Sequence, residues 1–258
     1  MIEEKPLVSI CIPLYERDEW FDKLIKSIED HDAGIPYEIC IGEGKNSASF
    51  NRNLAQRKAK SNFICQLDGD AEIIHDGWLK LLYDTLIEND KIGIVGGIIE
   101  KNDGVVDHCG TILIKNTEVA NKRLDRCFKG SNELILKMIK KRVNGHVHFN
   151  LDYNMIKDKI ANKKYSVEQC PGVCFMYDRR KLGEFLQEIY IKAGWEDVDF
   201  MARCKLSGYY ILINSKVRIR HPNHDRTDEE HDLRDNKQSE RGFNANNFVS
   251  YLMMYGRI

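Results

Sequence analysis

The sequence predicts an α/β fold: a mostly parallel central sheet flanked by helices, with an insertion and a C-terminal helical extension. Three observations predict it. Short apolar runs of strand length alternate with segments of helical periodicity through the first hundred residues. Each apolar run stops at a turn-forming or acidic motif. The alternation breaks down between about residues 116 and 165 and then resumes.

Leu7 to Pro13 is a short apolar run ended by proline, the pattern of a buried strand. Glu19 to Ile28 places Trp20, Phe21, Leu24, Ile25 and Ile28 at helical spacing. Tyr37 to Ile41 reads as a second strand that turns at Gly42-Glu43-Gly44, and Ser49 to Lys60 as a helix. Phe63 to Leu67 is a third strand and runs into Asp68-Gly69-Asp70. Trp78 to Ile87 is helical, and Ile92 to Ile99 is a strand with Gly96-Gly97 inside it.

The stretch 116–165 is rich in Lys and Asn, with one amphipathic segment from Glu133 to Ile139. It reads as an insertion over one face of the sheet, a lid. Order returns with a strand at Val173–Tyr177, helices at Arg180–Tyr190 and Glu196–Ser207, and strands at Tyr209–Ile213 and Val217–Ile219. The division expected is a main domain over 1–225 and a charged linker with a helical extension over 226–258. The apolar cluster Phe243–Tyr255 reads as packing or a homodimer contact ahead of a peripheral membrane foot.

Composition narrows the function classes. A length of 258 residues fits one large domain, and 42% apolar residues can build its core. Lys and Arg total 39 against 40 Asp and Glu, so no nucleic-acid binder is expected. The eight Cys lie singly, mostly inside apolar runs, and none shows zinc-type CxxC spacing, which reads as reduced, buried thiols. The acidic start and the lack of any apolar run near ~18 residues predict neither a signal peptide nor a transmembrane segment. The expected location is cytoplasmic, with the inner face of the membrane as the alternative site of contact.

In an open α/β sheet, ligands sit beyond the carboxyl ends of the strands. Four motifs occupy such ends: Pro13-Leu14-Tyr15-Glu16, Gly42-Glu43-Gly44, Asp68-Gly69-Asp70 and His221. Hard divalent cations take carboxylate and diphosphate oxygens, so the D-x-D pattern after an apolar strand suits a metal–diphosphate site. A solvated turn is its bland reading. The second acidic cluster, Trp195-Glu196-Asp197-Val198-Asp199-Phe200, opens a helix, where carboxylates also serve as dipole partners. Beside a metal site, one of them can act as general base on a hydroxyl. His221 before proline is either a loop residue or a ligand, and His224 offers a second imidazole.

At this point the chain resembles a family 2 glycosyltransferase with the GT-A (Rossmann-like) fold. The resemblance rests on Val8 to Tyr15, Asn51-Arg52-Asn53-Leu54-Ala55, Leu67 to Asp70, Gly110 to Leu113, Gly172 to Met176, and Gly194 to Phe200 continued to His221. It covers roughly residues 7–221 in order and leaves the insertion unmatched. The W-E-D-V-D-F segment is its most specific element.

The resemblance implies a nucleotide site at Pro13, Tyr15, Glu16, Glu43, Arg52, Asn53, Asp68 and Gly69. It implies metal ligation by Asp70 and His221, catalysis by Asp197 as base, and acceptor binding by Glu196. Gly42-Glu43-Gly44 departs from the family's usual acidic pair, which leaves base specificity open. The implied activity is Mn²⁺- or Mg²⁺-dependent transfer of a sugar, with inversion, from a nucleotide-sugar donor, a UDP-sugar in first place. The acceptor would be a glycan or a lipid-linked or protein-linked hydroxyl.

Two other classes compete. A nucleotidyltransferase making sugar nucleotides would want a Gly-rich basic loop near the N-terminus, which Leu7–Arg17 lacks. A non-catalytic carbohydrate-binding relative would have lost acids, yet Asp68, Asp70, Glu196 and Asp197 are all present.

Overall fold

The computed structural model describes residues 5–127, 133, 136–137, 140–141, 145–185, 190 and 195–222. His224, the Glu133–Ile139 segment as a whole and the 226–258 extension with its apolar cluster lie outside the described residues.

The first half follows the alternation in the sequence. β1 (Val8–Leu14) leads into α1 (Glu19–Asp30), whose first turn is capped by Asp18 accepting from the Trp20 and Phe21 amides. β2 (Tyr37–Glu43) leads into α2 (Ala48–Lys58), capped by Ser47. β3 (Phe63–Leu67), β4 (Glu72–Ile73), α3 (Trp78–Ile87) and β5 (Ile92–Glu100) follow. Then come β6 (Val106–His108), β7 (Thr111–Lys115), α4 (Thr117–Cys127), β8 (His146–Asn150), α5 (Tyr153–Ile160) and β9 (Lys164–Val167). The chain closes with β10 (Cys174–Asp178), a one-turn α6 (Arg179–Leu182), α7 (Glu196–Leu206) and β11 (Tyr210–Arg220).

The main sheet has the order β2-β1-β3-β10-β5-β11-β4, with β6 added to β5 and β9 to β11. β1 pairs in parallel with β2 and β3, and β5 with β11; β10 is antiparallel to both β3 and β5. Five strands therefore point the same way, and their carboxyl ends form one rim. Apolar side chains fill both faces. α1 and α3 cover the layer of Ile10, Ile12, Leu24, Trp78 and Leu82. Phe175, Tyr177, Phe185 and Phe200 form an aromatic cluster on the other side, with Phe185 stacked on Phe200 at 4.2 Å between centroids. Cys11, Cys40, Cys65, Cys109, Cys170, Cys174 and Cys204 are free and buried.

Several expectations need correction. Of the helix expected over Arg180–Tyr190, the first described residues form a single turn, because Gly183 leaves helical geometry at φ 71° and its amide closes the turn on Arg179 O; residues 186–189 lie outside the described residues. Gly42 and Glu43 continue β2 rather than forming its turn. Tyr209–Ile213 and Val217–Ile219 merge into the single strand β11, with a register shift between Ile213 and Arg218. The stretch 116–165 lacks periodicity but carries α4, β8 and α5, and β8 pairs with β7 as a separate antiparallel ribbon.

Candidate functional site

The rim is assembled by polar residues of α2, a helix that buries Ser49, Asn51, Arg52, Asn53 and Gln56 instead of an apolar stripe. The Asn51 amide donates to Leu14 O at 2.9 Å and to Gly44 O at 2.7 Å, tying the ends of β1 and β2 together. Asn53 is fully buried and exchanges hydrogen bonds with Phe185, Nδ2 to O and N to Oδ1, each at 2.8 Å. Of the Asn-Arg-Asn trio, Asn51 and Arg52 line the cleft above the rim, and Asn53 does not.

Arg52 is 4% exposed and carries the charge balance of the site. Its Nη2 donates to Asp68 Oδ1 at 2.8 Å, and its Nε lies 3.7 Å from Glu196 Oε1. Burial opposes the guanidinium charge, but Asp68, Glu196 and Asp197 outweigh it and raise the pKa. Behind it, Arg52 Nη1 contacts Gln66 Oε1 at 3.5 Å, and Gln66 Nε2 donates to the Tyr177 hydroxyl at 3.3 Å.

The Asp68 amide donates to Val173 O at 2.9 Å, which anchors the acidic loop to the start of β10. The His221 amide donates to Glu100 O at 2.8 Å, which anchors it to β5. These anchors bring one ligand atom each of Asp68, Asp70 and His221 within 4.8 Å of one another. His221 Nε2 is 3.2 Å from Asp70 Oδ1, and this bond raises the imidazole pKa. Burial, reinforced by Asp70, pushes Asp68 up to about 6 despite Arg52. Two carboxylates and one imidazole so placed suit a hard or borderline divalent cation such as Mn²⁺ or Mg²⁺.

Pro13, Tyr15, Arg52, Asp68, Gly69, Asp70, Glu196 and Asp197 converge on one open cleft of about 730 Å³, together with Asn46, Ala48 and Asn51. Tyr15 stands at its mouth, 54% exposed. Glu16 and Glu43 are not in the lining: they pair with Lys45 at 3.6 Å and Arg17 at 3.3 Å on the exposed edge.

Glu196 and Asp197 reach the cleft because α7 starts from Trp195 in left-handed backbone at φ 75°. For a bulky residue this is an outlier costing roughly 1–3 kcal/mol, a strain that collects at functional sites. A Cβ at Gly172 would fall 2.2 Å from Asp197 Oδ2, so a side chain there would force the carboxylate out of its position beside the start of β10. Asp199, the third acid, is fully buried and pairs with Arg203 at 2.9 Å. Burial raises its pKa, and it stands outside the cleft.

A second cavity of about 300 Å³ shares Gly172, Val173 and Asp197 with the first and is also lined by His108, Asn150, Gln169 and His221. Sequence reasoning missed Asn51, Gln66, His108 and Gln169. The one signal available was the polar buried face of α2; the others are set by strand register.

No protein-family model matches the chain, and no curated protein matches it in sequence. Among solved structures, the chain is similar to GalNAc-T7 with UDP, GalNAc and Mn²⁺, at a TM-score of 0.56 and 12% identity over 86% of this chain. It spans 45% of the length of that chain. Among the described residues, no helix is long and apolar enough to cross a membrane. At this identity the likeness is one of fold: a mixed α/β structure with a mostly parallel central sheet, resembling the GT-A glycosyltransferase fold.

Proposed function

We propose that this protein is a metal-dependent glycosyltransferase of the family 2 type. It moves a sugar from a nucleotide-sugar donor, a UDP-sugar in first place, to an acceptor hydroxyl with inversion. One observation carries the reading. Asp197 lines both cavities, Asp68 and Asp70 line the larger and His221 the smaller, and the ligand atoms of these last three lie within 4.8 Å of one another. The solved GT-A-like neighbour with UDP, GalNAc and Mn²⁺ supports it.

In this reading the larger cleft takes the nucleotide. Tyr15 offers a ring face to the base, beside Pro13 and Asn46. Asp68 faces the ribose, and Gly69 lets the backbone come close to the phosphates. Asp70 and His221, with Asp68, would hold Mn²⁺ or Mg²⁺. When bound, the ion supplies Lewis-acid stabilisation of the diphosphate leaving group. Arg52 fixes Asp68 and Glu196 in place from beneath.

Asp197 accepts the proton of the acceptor hydroxyl as the acceptor oxygen bonds to C1 of the donor sugar. The C1–O bond to the diphosphate breaks on the opposite face, and its electron pair leaves with the nucleotide. Glu196, buried beside Arg52, positions this end of α7. Asn150 brings the insertion 116–165 to the second cavity, which supports a role for the insertion in covering the acceptor. Among the described residues, seven buried free thiols support a reducing, cytoplasmic setting.

The test is release of nucleoside diphosphate from a panel of nucleotide-sugars with Mn²⁺, with and without EDTA. UDP release that EDTA abolishes is expected. Binding of no nucleoside diphosphate at all would overturn the reading, and diphosphate release from a nucleoside triphosphate would replace it with nucleotidyl transfer.

A further inference from the structure

The second cavity contains a buried donor that the protein itself does not satisfy. The Gln169 side chain is pinned by Thr111, whose hydroxyl donates to Gln169 Oε1 at 3.3 Å while the Thr111 amide donates to Gln169 O at 2.9 Å. This leaves Gln169 Nε2 buried with no hydrogen-bond partner among the described residues, in a residue that lines the cavity. Such an atom carries an uncompensated desolvation cost unless a ligand or water meets it.

His108 adds a second donor. Its Nδ1 accepts from the Gly110 amide at 3.0 Å, so the neutral ring carries its proton on Nε2. Asp107 and Asp197 supply acceptors on the same lining, and Ile99, Val198 and Met201 supply apolar surface. Among the described residues the lining contains no Lys or Arg; Lys101 stands outside it, 3.4 Å from the Asp107 carboxylate.

We infer that this cavity binds the acceptor as an uncharged sugar ring, with the Gln169 amide and the His108 ring as its donors. The inference rests on the transferase reading for the word acceptor. A sugar hydroxyl both donates and accepts, which matches a wall of carboxylates and N–H groups. The C–H face of the ring matches the apolar side, and about 300 Å³ suits one ring. An anionic ring would meet Asp107 and Asp197 with no Lys or Arg in the described lining and with His221 held by Asp70, so neutral rings are selected against uronic acids by repulsion as well as by attraction.

Saturation-transfer NMR tests this with the methyl glycosides of glucose, galactose, N-acetylglucosamine and glucuronic acid, in the presence of UDP and Mg²⁺. At least one neutral glycoside should bind more tightly than the glucuronide. Gln169→Ala and Gln169→Glu should each weaken that binding about tenfold, the scale of one lost hydrogen bond. Gln169→Glu keeps the acceptor for Thr111, so it decides the matter if the alanine variant does not fold. Asp107→Lys, at an exposed position, should shift preference towards the glucuronide. Tighter binding of the glucuronide by the natural protein, or neutral binding indifferent to both Gln169 variants, would overturn the inference.

UDP affinity measured on the same samples separates the two readings. Glycoside binding that depends on Gln169 without UDP binding keeps the sugar site and sinks the transferase. UDP binding with no neutral glycoside bound does the reverse.

Discussion

Arg52 donates to Asp68 at 2.8 Å from inside the domain, and Asp68 in turn presents its carboxylate to the cleft. The same guanidinium lies 3.7 Å from Glu196, so one buried cation joins the end of β3 to the start of α7. Two acidic clusters more than a hundred residues apart in sequence thereby share one counter-charge. Without it, their approach would leave buried carboxylates uncompensated.

Replacing Arg52 with Ala should therefore cost more than a surface arginine would. Removing one partner of a buried ion pair typically costs about 3–5 kcal/mol. Urea unfolding of Arg52→Ala should show a loss of that order. Arg52→Lys should recover only part of it, because an ammonium cannot face both acids as a planar fork does. A midpoint equal to that of the natural protein would mean that the two clusters do not depend on this charge.

Asp70→Ala should abolish the Mn²⁺ dependence of UDP binding, since a hard cation loses one of its carboxylate ligands. His221→Ala should weaken it as well. Titration calorimetry of UDP with and without Mn²⁺ reads both. Unchanged affinity in Asp70→Ala would remove that residue from the site.

Much of the fold was legible because strand length and helical periodicity are local signals. Phe63–Leu67 and Trp78–Ile87 lie where their apolar patterns place them. The Asp68, Asp70 and His221 grouping was legible from two strand ends, those of β3 and β11, that a parallel arrangement brings to one rim. What was not legible is set by long-range register. The Asn53 amide is consumed by Phe185, 132 positions away, and Glu16 and Glu43 are held on the outer edge by Lys45 and Arg17. Nothing near these residues in sequence announces those partners. The same holds for Gln169, whose side chain is held at the second cavity by Thr111, 58 positions away.

Acid should weaken the protein through Asp178. This carboxylate is 4% exposed and accepts from the Arg180 amide at 2.9 Å and from Arg180 Nε at 2.9 Å. Burial works against its charge, but the Arg180 bonds outweigh burial and hold its pKa below the usual value. A lowered native pKa contributes stability that is present above the unfolded pKa of about 3.9 and is lost as pH falls through the native value. Asp178→Asn keeps a capping oxygen but not the charge. Because Arg180 is largely exposed, the cost at pH 7 should be at most about 1 kcal/mol. The gap in urea midpoint between the two proteins should close as pH falls below about 3.9. A gap that widens in acid would contradict this sign.

The sharpest prediction concerns Asp197, which borders both cavities and faces Gly172 so closely that a side chain there would displace its carboxylate. Asp197→Asn preserves shape and a hydrogen-bonding oxygen but cannot take a proton at neutral pH. A positioned base contributes about 10²–10⁴-fold, so single-turnover transfer at saturating donor should fall by that factor. UDP–Mn²⁺ affinity should survive, because Asp68, Asp70 and His221 are untouched. Asp199→Asn should leave the chemical step close to that of the natural protein and lower stability, because Asp199 faces Arg203 inside the fold rather than the cleft. Glu196→Gln should act through Arg52, loosening the start of α7 and raising acceptor KM more than it lowers kcat. If Asp197→Asn transfers at the natural rate while Glu196→Gln does not, the base is Glu196 and the wall between the cavities is only structural. If neither substitution slows transfer, proton removal by a carboxylate at the start of α7 is not part of the reaction.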